Sequence, residues 1–316
     1  MNGYPVILRP EGASRIIAFG TTGIVCQSCR HPEQVIKAPL RYKVEGCSTD
    51  VIETTLHEEN FARLCFEREK IIYKMLPEDP NVLNCIEVMD HCIRLPFLRL
   101  GNLRDYLLNH NREVDSHTRE KWITMAASAI GLVHSFGVIH ADISARNFLV
   151  ADDMSIKLCD FSGSAIGEKT SLISEEDRYR MAPNYPRSTA TDIFALGCLM
   201  FEITTGRRPY DEISDEDCQE IERFYSIGQF PSLEGLPYQG IIQKCWTCQY
   251  NVVDQVKHDL QKRKGVDRLP LPTFLSDSVT GATISRLFSF ATSTLAVLTV
   301  SGILLWWYPR RGYWRP

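Results

Sequence analysis

No Asp or Glu follows residue 277, no stretch of the chain is low in complexity, and no repeat recurs at a fixed period. The last two absences exclude solenoids and disordered tracts, which are marked by such repeats or by biased composition. The start, "MNGYPVILRPEGAS", lacks a charged opening followed by a long apolar core, so no secretory leader is expected there. Basic excess is missing from the body. Residues 1–285 hold 31 Lys and Arg against 39 Asp and Glu, a net −8, and no nucleic-acid partner is expected of such a surface. Beyond lie Arg286, Arg310, Arg311 and Arg315, and a basic end of this kind fits a membrane surface or a topology signal.

What is present is ordinary for a globular chain: 44% apolar and 23% charged residues over 316 positions, enough for one large domain or two lobes. Eleven Cys at irregular intervals, without a leader, fit reduced thiols. Two Cys-x-x-Cys pairs occur, Cys26/Cys29 and Cys245/Cys248. Zinc pairs usually lie about 15–20 residues apart in sequence. These are separated by more than two hundred, so a zinc or redox role is the lesser reading and small buried hydrophobes the greater.

Three β-branched runs, "RIIAFG", "GIVCQ" and "QVIKA", read as strands between residues 15 and 38. A polar stretch follows to about residue 57. Then Phe61, Leu64, Cys65, Arg68, Ile71, Ile72 and Met75 recur at helical spacing, stopping before Pro77. "CIEVMD" and "IRLPFL" read as two further strands. From "GNLRDYLL" the pattern turns helical, with Trp122, Ala126, Ile130 and Val133 on one face. "FLV" and "IKLCD" read as a short hairpin around "ADDM". "DIFALGCLMFEITTG" is apolar nearly all round, as a helix buried in a core would be. The class is α+β in two lobes.

Residues 287–309 carry no charge over 23 positions. As a helix they reach about 34 Å, against a hydrocarbon core of about 30 Å. Trp306, Trp307 and Tyr308 beside Arg310 and Arg311 resemble an interfacial belt. Six Ser and Thr dilute the segment, so a buried core helix or an irregular tail are the alternatives to a membrane span.

"FGTTGIV", with Ala18 two before Gly20, approximates a G-x-G-x-x-G-x-V loop, which lays backbone N–H groups over phosphates; a plain hairpin turn is the competing reading. Lys37 ends the strand "VIK" fourteen residues after Gly23, where a Lys meets phosphates or is simply solvated. Glu69 is the candidate to hold it and Glu67 the rival. "HADISARN" shares His, Asp142 and Asn147 with H-R-D-L-x-x-x-N, and "DFSG" ends the following hairpin. "VHSFGVIHADIS", "MAP", "TDIFALGCLMFEITTGRRPY" and "IIQKCW" then follow in order. Over roughly residues 15–260 the chain resembles a eukaryotic-type protein kinase.

The resemblance implies a bilobal fold at residues 15–265. A small β-rich lobe takes 15–97 and a mostly helical one 98–265, after an N-terminal segment 1–14. A linker at 266–286, a transmembrane helix at 287–309 and a basic tail at 310–316 would follow. It implies ATP and Mg²⁺ as cofactors and a protein hydroxyl as acceptor. Asp160 and Asn147 would hold metal, offering the hard oxygens Mg²⁺ takes. Asp142 would accept the hydroxyl proton, Lys37 fixed by Glu69 would hold ATP in register, and Arg146 would lie near the transferred phosphate. Gly20, Thr21, Thr22, Gly23 and Val25 would cover the phosphates. Adenine would sit at Leu95, Pro96, Phe97 and Leu98, with Leu95 controlling access behind it. The body would face the cytosol, tethered to a membrane by its C-terminus.

Several positions depart from the family pattern. Ala141 replaces the Arg that grips an activation-loop phosphate, so activity independent of phosphorylation at Thr170, Ser171 or Ser174 is expected. Asn184 replaces the Glu of Ala-Pro-Glu, and Ser162 and Ala18 replace glycines. Ser144 stands where Ser/Thr kinases carry Lys, while Arg146 resembles the tyrosine-kinase arrangement. "SEEDRYR" matches neither group, so the hydroxyl stays open with Ser and Thr favoured. "APLRYKVEGCSTDVIETT" reads as an inserted loop. A catalytically silent kinase fold, serving as a nucleotide-binding or docking module, is the alternative to an active enzyme, and a small-molecule phosphotransferase a more distant one.

Overall fold

The computed structural model describes residues 3–181 and 185–267. Its strands and helices begin with β1 (Val6–Ile7), β2 (Ala13–Gly20), β3 (Gly23–Ser28), β4 (Gln34–Ala38) and β5 (Tyr42–Lys43), then α1 (Thr49–Met75). β6 (Glu87–Val88) and β7 (Ile93–Pro96) complete a five-stranded antiparallel sheet in the order β2-β3-β4-β7-β6. Each of the five strand runs read from the sequence lies in this sheet.

Three expectations are corrected by the structure. The helix begins at Thr49, not after residue 57, because the polar start of α1 is fixed from outside. The Tyr42 amide donates to Glu59 and the Tyr42 hydroxyl to Glu58 Oε2 at 2.7 Å. The expected inserted loop is therefore largely strand and helix. Nor do residues 3–14, the described part of the expected N-terminal segment 1–14, stand outside the lobe, since Val6 pairs with Lys43 and Ile7 with Tyr42. Ile24, Cys26, Ala38, Leu40 and Ala62 form a small core of their own beneath these elements.

The remainder is helical around two short antiparallel strand pairs, β9–β10 and β8–β11: α2 (Leu103–His110), α3 (Ser116–Ser135), β8 (Val138–Ile139), β9 (Phe148–Val150), β10 (Ile156–Leu158) and β11 (Ala165–Ile166). There follow α4 (Thr189–Thr205), α5 (Cys218–Ser226), α6 (Gln239–Trp246) and α7 (Val253–Asp267). Asp115 caps α3 by accepting the Thr118 N–H at 2.7 Å, satisfying one donor the helix start leaves open. The α4 helix is buried from Thr191 to Ile203, and this explains its unbroken apolar sequence; Gly206 ends it at φ 75, where a side chain would be strained. Trp122 Nε1 donates to the Met154 carbonyl at 2.8 Å, fastening the β9–β10 hairpin to α3. One continuous core runs from Val35, Ile93 and Leu95 of the sheet through α3 and α4 to Trp246.

All eleven cysteines are free; Cys26 and Cys245 are buried as read, but Cys29 and Cys248 are exposed. Among the described residues no helix is long and apolar enough to cross a membrane. The expected span at 287–309, its basic tail and Asn184 lie outside the described residues.

The two loop glycines are present for different reasons. A Cβ at Gly23 would lie 2.6 Å from the Ala38 carbonyl oxygen, whereas one at Gly20 meets nothing within 4 Å. Gly23→Ala is expected to cost about 1–3 kcal/mol, and Gly20→Ala to leave the melting temperature unchanged. Paired thermal melts check this.

Candidate active site

Strand β4 places Val35 and Lys37 on one face of the sheet, because side chains alternate along a strand. Helix α1 turns Cys65, Phe66, Glu69, Ile72 and Tyr73 inward at three- and four-residue spacing. Lys37 Nζ consequently donates to Glu69 Oε1 at 2.8 Å and to Asp160 Oδ1 at 2.8 Å. Glu69 is fully buried, while the rival Glu67 pairs with Lys70 on the exposed side. Burial works against the Lys37 charge, but Asp160 and Glu69 outweigh it and hold the ammonium well above its usual range. Burial pushes Glu69 up to about 7 against the pull of Lys37. For Asp160 burial is overcome by Lys37 and by the Ser162 hydroxyl, and its acid falls below the usual carboxylate range. Phe161 packs edge-on against Tyr73 at 5.3 Å and His140 at 5.4 Å, which fixes the residue next to Asp160.

The loop after β8 carries Asp142. Ala141 sits at φ 63 and Asp160 at φ 64, left-handed conformations that cost a residue with a Cβ about 1–2 kcal/mol. Asp192, at the start of α4 and fully buried, holds the first of these. Its Oδ1 accepts the Ala141 N–H at 2.9 Å and its Oδ2 the His140 N–H at 2.8 Å, with His134 Nε2 also at 2.8 Å. His140 Nδ1 accepts the Asp142 N–H at 3.3 Å, so Nε2 carries the proton that is donated to the Cys159 carbonyl at 3.1 Å. Asn147 Nδ2 donates to the Asp142 carbonyl at 2.7 Å and to Asp142 Oδ2 at 2.9 Å. The β9–β10 ladder continues through the Cys159 N–H to the Asn147 carbonyl at 2.9 Å, which brings Asp160 beside this loop. Burial, then the charge of Glu176, raise the Asp142 acid to about 8.

Gly20 pairs with Gly23 across Thr21 and Thr22, so the glycine loop is a tight hairpin, and Val25 pairs with Lys37 in the next strand. Leu95 is buried opposite Val35. The adenine-edge expectation narrows. Pro96 has no N–H, and the Phe97 N–H is given to the Glu33 carbonyl at 2.8 Å. Leu98 retains the N–H without an acceptor among the described residues.

The family described as protein tyrosine and serine/threonine kinase matches residues 33–252. The chain belongs to this family. It is 28% identical over 257 residues to the tyrosine-protein kinase Abl of Drosophila melanogaster, covering 76% of this chain and 15% of that one. To the probable serine/threonine-protein kinase PknB of Lactococcus lactis it is 28% identical over 173 residues, 51% of this chain and 27% of the other. To the fibroblast growth factor receptor of Strongylocentrotus purpuratus it is 25% identical over 265 residues, 75% and 26%. The chain thus spans about a quarter or less of these relatives' lengths.

The sequence reading missed Asp192, Arg68, Arg104 and Glu176. Arg68, buried on α1, donates Nη1 to the Ser164 carbonyl and to the Thr170 carbonyl at 2.9 Å, holding the segment after Asp160. Arg104, buried on α2, donates Nη1 to both Glu176 oxygens at 2.9 and 2.7 Å and Nε to Glu202 Oε1 at 3.0 Å. Arg146 Nε meets Glu176 Oε1 at 2.8 Å. Against burial, Arg104 and Arg146 pull the Glu176 acid down to about 2. An Asp in the first turn of an apolar helix and an Arg inside "NLRDYLL" were the available signals for Asp192 and Arg104.

The residues present fit a divalent cation that arrives with phosphate. Asn147 spends its amide nitrogen on Asp142, and Lys37 and Ser162 take only Oδ1 of Asp160. Asn147 Oδ1 and Asp160 Oδ2 accept no hydrogen bond among the described residues. Among those residues no cluster of three or more ligating side chains would hold a metal unaided, and Mg²⁺ generally draws its remaining oxygens from water and substrate phosphates.

The segment's far end is held by a second buried pair, with Glu175 Oε2 2.7 Å from Arg187 Nε. Burial outweighs Arg187 and pushes the Glu175 acid up to about 7 from an ordinary 4.5, with Asp192 adding to the rise and Arg180 opposing it. A folded value above the unfolded one means that the folded chain gains by holding the Glu175 proton, a contribution that is full below about 4.5 and is lost as pH rises through about 7. Wild type is expected to lose up to about 3 kcal/mol more than Glu175→Gln between pH 5 and pH 8, as read from thermal melts at the two values.

Proposed function

We propose that this chain transfers the γ-phosphoryl group of ATP to a hydroxyl of a protein substrate, with Ser and Thr favoured over Tyr. The observation that carries the reading is Lys37 shared at 2.8 Å between Glu69 and Asp160, with Asp142 held by Asn147 close by. Phosphoryl transfer needs alignment and charge neutralisation more than covalent help. Lys37, fixed on both sides, would keep the α- and β-phosphates in register. Gly20, with open space where a Cβ would stand, lets the loop backbone approach them. The Leu98 N–H would pair with the adenine edge. Asp142 would orient the acceptor hydroxyl and take its proton. Asp160 and Asn147 would hold Mg²⁺, which when bound neutralises charge on the phosphate oxygens.

The segment after Asp160 is held by Arg68 through two backbone carbonyls and by Arg104 through the Glu176 carboxylate, without any phosphate. This supports activity independent of Thr170, Ser171 and Ser174, as does Ala141 in the place of the phosphate-gripping Arg. We further propose that residues 287–309 tether the chain to a membrane with the kinase body on the cytosolic side, a reading supported by 23 uncharged positions and the flanking Trp306, Trp307, Arg310 and Arg311.

With labelled ATP, Mg²⁺ and a generic protein substrate, Asp142→Asn is expected to lower transfer by about 10²–10⁴-fold. The triple substitution Thr170→Ala, Ser171→Ala, Ser174→Ala should keep wild-type transfer within a factor of about two. Acid hydrolysis of the product identifies the acceptor residue. Nucleotide-induced thermal stabilisation with no transfer would favour the silent-kinase alternative. A full-length chain wholly released from membranes by carbonate would reject the anchor.

A further inference from the structure

The turn after Asp160 carries a hydroxyl where the family pattern has a glycine. Ser162 is 1% exposed, and its Oγ donates to Asp160 Oδ1 at 2.6 Å, with the Ser162 N–H 3.4 Å from the same oxygen. Lys37 Nζ donates to Oδ1 as well, at 2.8 Å. Donors prefer the plane of a carboxylate, so two that converge on one oxygen fix how the group is turned. Oδ2 is left without a hydrogen bond among the described residues, on a side chain that is 37% exposed.

The backbone beneath this hydroxyl is itself held. On one side Phe161 packs against Tyr73 and His140. On the other, the Gly163 carbonyl accepts the Leu172 N–H at 2.9 Å, and the Ser164 hydroxyl donates to the His140 carbonyl at 3.0 Å. A Cβ at Gly163 would lie 1.8 Å from Ile173 Cγ1, so the segment closes directly over the turn. Ser162 therefore cannot follow the Asp160 carboxylate if that group swings away. The swing would strand a buried hydroxyl without an acceptor, which is unfavourable. The two donors on Oδ1 also differ in what else they serve. Lys37 is shared with Glu69 and, in phosphotransfer, with the phosphates of ATP. The Ser162 hydroxyl has no other acceptor among the described residues, so its bond does not compete with nucleotide.

We infer that Ser162 is a positioning residue that holds the Asp160 carboxylate in place for the divalent cation arriving with ATP. The inference rests on the phosphotransfer reading above for the identity of that cation. Removing the partner that orients a metal-binding side chain commonly lowers metal affinity by about 10–100-fold.

The test uses the full-length chain as wild type, Ser162→Ala and Ser162→Gly, with a non-hydrolysable ATP analogue as probe. Affinity for the analogue is measured by titration calorimetry in excess Mg²⁺ and again in EDTA. Both substitutions are expected to weaken binding in Mg²⁺ about tenfold and to leave binding in EDTA within about twofold of wild type. Ala keeps the Cβ and removes only the hydroxyl, while Gly restores the residue of the family pattern; either suffices if the other fails to fold. A role confined to the fold of the turn would lower binding in both conditions alike. An equal loss in Mg²⁺ and in EDTA, or no loss in either, overturns the inference. So does a wild type that binds the analogue no better with Mg²⁺ than without it. No turnover is needed. If the wild type transfers no phosphate while the Mg²⁺-specific loss is seen, phosphotransfer fails and the role of Ser162 stands.

Discussion

One ammonium group joins the sheet, the long helix and the loop after β10. Lys37 is buried, and each of its carboxylate partners comes from a separate element of the chain. Removing one partner from a buried ion pair leaves an uncompensated charge, which costs about 3–5 kcal/mol. The position of α1 and the position of Asp160 are thereby linked: neither can move far without stranding Lys37. The apolar packing of Phe161 against Tyr73 and His140 reinforces the same linkage from the opposite side.

Beyond this centre, the site is held by buried polar groups that never touch the reacting atoms. Asp192 stabilises a left-handed alanine by accepting two successive backbone N–H groups. Arg68 and Arg104 hold the segment that follows Asp160 through carbonyls and a carboxylate. Where the family pattern would use a phosphate and an arginine at position 141, this chain has alanine, and unmodified acids and helix-borne arginines hold the segment. Strain at Ala141 and Asp160 persists because these surroundings over-determine it.

Much of the fold was legible. The five sheet strands, the β9–β10 hairpin and the buried α4 each have a local period or an apolar run that only one element satisfies. The start of α1 was not, because residues 49–60 have little apolar periodicity and owe their helix to Tyr42 reaching Glu58 and Glu59 across the chain. The short pairing of Val6–Ile7 with Tyr42–Lys43 was likewise hidden, two residues being too few to show a pattern. In the site, Glu69 already stood ahead of Glu67 in the sequence, whereas the loss of Phe97 as a donor needed its partner Glu33.

The sequence by itself determined the kinds and order of the chemical groups: a glycine turn, a lysine, a helical glutamate, and then Asp142, Asn147 and Asp160 at fixed local separations. Spacing within a strand, a turn or a helix follows from backbone geometry, which neighbouring residues set. Which charges meet was decided only by tertiary structure, since Lys37 and Asp160 are 123 positions apart and Arg104 and Glu202 are 98 apart. Distances of that kind depend on how α1, α2 and α4 pack on the sheet and the catalytic loop, and a run of letters contains no measure of that packing.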